Sequence, residues 1–156
     1  MLKYFKHFKS KTKDQNRNLL LYFTGLFQST KRNIERMGES VKGNDYNGLQ
    51  HFISQAPWDH RLVMDQVSQE INVLLQTENT PIGLIIDESS HKKKGEKSVG
   101  VAKQYCGSKG KIENCQVAVY SAYSTGNSYG LSDCEIFIPN SWIVDTKRCE
   151  KAGIPT

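Results

Sequence analysis

The 156-residue sequence lacks the marks of several common protein classes. Its four cysteines, Cys106, Cys115, Cys134 and Cys149, are widely spaced. They form no Cys-x-x-Cys pair and have no His-x-x-x-His partner, which argues against a zinc site and leaves buried free thiols as the plain reading. Apolar runs are short. The first, residues 19–23, falls far below the roughly 18 apolar residues of a membrane span. The amino terminus carries Lys3, Lys6, Lys9, Lys11 and Lys13 but no apolar stretch long enough for a signal-peptide core, so a cytoplasmic location is expected. A Walker-type phosphate loop, a nucleophile elbow, a Rossmann glycine fingerprint and a helix-turn-helix signature are all missing. So is any internal repeat.

What is present is the composition of a folded protein: 37% hydrophobic and 24% charged, with apolar residues spread throughout. The length suits one ordinary domain, or a small helical domain plus part of a second. A formal charge of +5 and a pI near 9.0 favour a polyanionic partner such as nucleic acid, because each neutralised phosphate releases a condensed counterion. At this modest charge the pointer is weak.

Periodicity changes near Pro81. Before it, Leu19, Phe23, Leu26, Phe27, Ile34 and Met37 recur at helical spacing and predict one helix over 15–37. A second helix is expected over 45–54 with Asp45 as its cap, and a third over 58–76. Three amphipathic helices make a small bundle. After Pro81, Ile82, Leu84, Ile85 and Ile86 form a short apolar run closing on Asp87, the pattern of a strand buried on both faces. Residues 114–123 alternate as a second strand. A turn over 124–128 containing Gly126 and Asn127 leads to a third over 131–139, so these two should form an antiparallel hairpin. The basic stretch between the first two strands reads as a connection, and 142–151 as the start of a further helix.

Asp87, ending an apolar strand before a lysine-rich segment, carries the most informative local pattern. Carboxylates fix the divalent ions of two-metal phosphodiester chemistry. Alone, the pattern is more often a turn or cap residue. Glu88 does not help by itself, since successive strand residues face opposite ways. His91 is most simply a polar loop residue. Lys92, Lys93, Lys94, Lys97 and Lys103 are placed to contact phosphates, against the alternative of a solvated loop. Trp58 and Trp142 are expected to pack in cores rather than stack on bases. The lysines of the first 13 residues are read as a frayed, solvated tail rather than a DNA-binding arm.

The segment 84–119 adds specificity. Lys93 to Gly95, then Ser98 to Ala102, Gln104 to Gly107, Gly110 with Lys111, and Asn114 to Val117 occur in an order that resembles the start of the catalytic domain of bacterial insertion-sequence transposases of the DDE superfamily. Residues 46–58 resemble the family's helical region. Pro139 to Trp142, Arg148, and Ala152 to Pro155 resemble later family positions. Departures are Glu96 after Gly95, and Ser90 and His91 where relatives carry Thr-Gly.

That resemblance implies an α+β chain: an amino-terminal helical bundle, residues 1–78, followed over 79–156 by the first three strands of an incomplete RNase H-like mixed sheet. By position Asp87 is the first catalytic Asp, binding Mg²⁺ or Mn²⁺ with a second Asp and a Glu from later family segments that this sequence does not contain. The expected function is DNA transposition by metal-dependent strand cleavage and transfer, with this chain a truncated, inactive fragment. The alternative is a non-catalytic DNA-binding or transposase-interacting module. Implied partners are the DNA of transposon ends and full-length transposase, with no membrane. Marginal stability is expected, because so small a part of the sheet leaves apolar surface and an edge uncovered.

Overall fold

The computed structural model of the protein describes residues 1–155. It divides into two compact units, Met1–Val63 and Met64–Thr156, each described by itself.

In the first unit a 3-10 helix, Leu2–Phe8, precedes helices α1 (Asn16–Gln28), α2 (Ile34–Ser40) and α3 (Tyr46–Ser54). Helix α4, His60–Gln76, begins in this unit and continues into the second. The single helix expected over 15–37 is therefore two. Its apolar spacing runs unbroken through the interruption, but Asn33 offers a competing cap: its side chain accepts from the Arg36 N–H at 2.9 Å and starts α2 afresh. The reversal lays Met37 against Gly25, where an added Cβ would come within 2.7 Å of Met37 Cγ. Helix α3 starts as expected, with Asp45 Oδ1 accepting from the Gly48 N–H.

The amino terminus is not a frayed tail. Phe8 is buried in a core with Leu19 and Phe52, and Tyr4 and Phe5 pack against it. An antiparallel bridge between Lys9 and Asp14 follows, so the apolar side chains of this segment outweigh its lysines in deciding its place. Trp58 joins that core, its ring 5.0 Å from Phe8 and 5.7 Å from Phe52, while its indole N–H donates to the Phe52 carbonyl. Core packing is the role expected of it.

The second unit holds strands β1 (Gly83–Lys92), β2 (Ala102–Cys106), β3 (Lys111–Ser124) and β4 (Tyr129–Ile136), then the short helices α5 (Asn140–Ile143) and α6 (Thr146–Lys151). Every pairing in this four-stranded sheet is antiparallel. Long β3 is central. It pairs along one edge with β1, and along the other with β2 near its start and β4 near its end. The α+β class holds, as do the strand carrying Asp87 and the antiparallel hairpin, whose turn includes Gly126 at φ 90°.

Two strand expectations need correction. The connection between the first two expected strands contains β2, too short and too polar to announce itself. Strand β1 is also longer than expected and is not buried on both faces: Leu84, Ile85 and Ile86 are each more than half exposed. Among the described residues β1 is an edge strand paired with β3 alone. No helix among those residues is long and apolar enough to cross a membrane.

Candidate functional site

Register fixes what surrounds Asp87. It stands opposite Tyr120 on β3, which stands opposite Cys134 on β4, so these three side chains form one row on one sheet face. Asp87 is exposed, and its Oδ1 accepts from the Glu88 N–H at 2.8 Å. The Tyr120 phenol is held above its ordinary value, chiefly by burial and then by Cys134. Glu88 belongs to the opposite face, in a row with Val119 and Glu135. Its face also bears a cavity of about 500 Å³ lined by Glu88, Ser90, Gln104, Ser108 and Val117 among others.

Asp87 offers the hard oxygen ligand that divalent cations prefer. A complete two-ion site needs several. Among the described residues no group of three His, Cys, Asp or Glu side chains is placed to hold a metal. His91 does not complete one. It lies on β1 rather than in a loop, opposite Gln116 and about 13 Å along the strand from Asp87.

The lysines gather elsewhere. Lys92 ends β1, and its Nζ lies 3.1 Å from Glu113 Oε2, while Lys111 Nζ reaches the other oxygen at the same distance. These two ammonium groups, Lys92 first, hold the Glu113 carboxyl below its ordinary value. Lys93, Lys94 and Lys97 follow in the segment 93–101, and Lys103 is on β2 opposite Asn114. No ion pair engages Lys93, Lys94, Lys97 or Lys103 among the described residues. Along β3, Asn114 lies six positions from Tyr120, the partner of Asp87. Lys103 and Asp87 therefore share a face but stand roughly 20 Å apart.

The ordered motif residues between them have structural roles that the sequence did not reveal. Gly100 has φ 71°, and a Cβ there would come within 2.7 Å of the Phe137 carbonyl oxygen, so only glycine fits. Cys106 and Cys115 are fully buried and free, as expected, and Cys149 is buried too. Hydrogen bonds with Ser108 and Ser90 pull the Cys106 thiol below its ordinary value, and burial pushes Cys115 up. Trp142 is buried, donates its indole N–H to the Val101 carbonyl at 2.9 Å, and carries the Arg148 guanidinium 3.7 Å from its ring centre.

These features sit in a chain with recognisable relatives. The sequence is 36% identical over 90 residues to the "Probable transposase for insertion sequence element IS701" of Microchaete diplosiphon. The match covers 57% of this chain and 23% of that relative, so the chain spans about a quarter of the length of the curated protein it matches. No solved structure matches. The family described as DDE superfamily endonuclease matches residues 3–156. Enzymes of this superfamily generally use divalent metal ions. A strand-borne Asp87, with the motif series in register behind it, is thus set within a match that runs nearly end to end, and the chain belongs to the DDE superfamily endonuclease family.

Proposed function

We propose that the chain serves an insertion-sequence transposase, in DNA transposition by metal-dependent strand cleavage and transfer. The observation that carries this reading is the exposed Asp87 on β1 inside the family match. In this reading Asp87 is a ligand to Mg²⁺ or Mn²⁺. Such an ion activates the attacking oxygen and stabilises the leaving one. The carboxylate's own task is to hold position on a hydrogen-bonded strand while leaving oxygen lone pairs open to solvent. Lys93, Lys94, Lys97 and Lys103, with Lys92 at their edge, contact phosphates of the transposon-end DNA. A cytoplasmic location accompanies that substrate.

One carboxylate does not make a catalytic site, so the chain alone is expected to bind DNA without cutting it. The test is incubation of the purified chain with supercoiled plasmid and Mg²⁺ over a range of salt. Retardation that weakens as salt rises, without nicking, supports the reading. No retardation at low salt contradicts the DNA contact. Nicking that Asp87→Asn abolishes would show that the site is complete in this chain.

A second reading, a non-catalytic DNA-binding or transposase-interacting module, is favoured by the absence of a three-ligand group among the described residues, taken with the lysines outside ion pairs. The two readings part on Asp87. In the second, Asp87→Asn changes nothing even when the rest of a family catalytic domain is supplied in trans.

A further inference from the structure

The basic segment 93–101 has almost no regular structure, yet its backbone is held at nearly every step. Asn114 Nδ2 donates to the carbonyls of Lys93 and Gly95, each at 3.0 Å. Arg148 Nη2 donates to Glu96 O at 2.6 Å, and Gln116 Nε2 to Val99 O at 2.6 Å. Gln104 Nε2 reaches Gly100 O at 3.2 Å, and the Trp142 indole N–H reaches Val101 O. The Lys93 N–H donates back to Asn114 O, and the Val101 N–H to Ser98 O. An exposed loop ordinarily leaves such carbonyls to water. Here six of them accept from side chains on β2, β3, α5 and α6.

All the side-chain donors come from outside the loop, and none of these bonds uses a lysine amine. Lys94 and Lys97 are exposed, Lys93 is half-buried, and their ammonium groups have no partner among the described residues. A free loop loses conformational entropy when it grips a ligand, and a loop already fixed does not. The stacked Arg148 is suited to this task, because its planar fork holds a carbonyl while its face rests on Trp142.

We infer that Asn114, Gln104, Gln116, Trp142 and Arg148 are positioning residues that hold the 93–101 loop as a preformed clamp for DNA phosphates. This rests on the proposed DNA contact and deepens it. The clamp also has a place. It begins where β1 ends, about 20 Å from Asp87. At ~3.4 Å per nucleotide along a strand, it grips phosphates about six nucleotides from the bond presented to Asp87.

The test uses the whole chain, a 30-base-pair duplex followed by fluorescence anisotropy against salt, and amide hydrogen exchange. Asn114→Leu removes two loop bonds without changing charge. It is expected to speed exchange of amides 94–100 and to weaken DNA binding about 5- to 10-fold, with the salt slope kept. Lys94→Gln with Lys97→Gln is expected to do the reverse: exchange is unchanged, and the slope of log affinity against log salt falls by about 1.8, for two phosphates at ~0.9 each. If Asn114→Leu fails to fold, Arg148→Lys, which also keeps charge, is read in the same way. Faster loop exchange with unaltered affinity would overturn the inference, as would unchanged exchange in a folded variant. Absence of salt-dependent binding by the unmodified chain would instead overturn the DNA contact itself.

Discussion

The two ends of strand β1 differ in how completely they are built. At the Asp87 end, Leu84, Ile85 and Ile86 are largely open to solvent, and among the described residues the carboxylate accepts a hydrogen bond from the neighbouring Glu88 N–H alone. At the Lys92 end the strand runs into an ion pair with Glu113, then into a loop whose carbonyls are taken up by side chains from four other elements. Both ends belong to one hydrogen-bonded ladder, so the difference is in the packing around the strand. It teaches that the phosphate-contacting part of the proposed site is organised by this chain's own residues. Around Asp87, by contrast, the described residues gather no group of three His, Cys, Asp or Glu side chains, and Leu84, Ile85 and Ile86 leave an exposed apolar surface beside it.

The sharpest way to break this contrast is to mutate both ends. Trp142→Ala removes a buried indole and its bond to Val101, and is expected to cost about 3–5 kcal/mol in denaturant unfolding. Ile86→Ala at the open end is expected to stay within about 0.5 kcal/mol. Similar losses at both would show that the Asp87 end is buried in solution. Gly100→Ala comes next, because positive φ and the close Phe137 carbonyl are expected to cost about 1–3 kcal/mol, read from the shift in unfolding midpoint.

Solubility gives a smaller effect. Leu84→Lys with Ile86→Lys is expected to reduce self-association of the chain in sedimentation, and no change would mean that this face is not sticky. Smallest is the acid response at the Lys92 end. Glu113 has a depressed folded value, so its contribution to stability is present above the ordinary Glu value of 4.5 and is lost as pH falls below it towards the folded value. Glu113→Gln is expected to flatten unfolding stability across that interval. An unchanged acid slope would show that the lysine pairs do not persist in solution.

Much of the frame was legible in the sequence because its signals are local. Asp45 before an apolar period caps α3 as expected, and the glycine-containing turn after residue 124 joins β3 to β4. The break between α1 and α2 was hidden because the apolar spacing carries through it. Strand β2 was hidden because five residues of mixed polarity give no period. The site divides in the same way. Asp87 could be singled out from its own neighbours and from the order of motifs. The loop clamp could not, since Asn114, Gln116, Trp142 and Arg148 act on carbonyls 17 to 52 residues away, and only the fold brings them together. The distance between the lysines and Asp87 was hidden for a related reason. The strand that joins them is longer than its apolar run suggested, because Glu88 to Lys92 continue the ladder.

The metal role of Asp87 is tested most directly by titrating Mn²⁺ into the isotopically labelled chain and following paramagnetic broadening of its backbone amides. Selective broadening of Ile86, Asp87 and Glu88, abolished by Asp87→Asn, is the predicted result. Broadening centred elsewhere, or unchanged in Asp87→Asn, would contradict it.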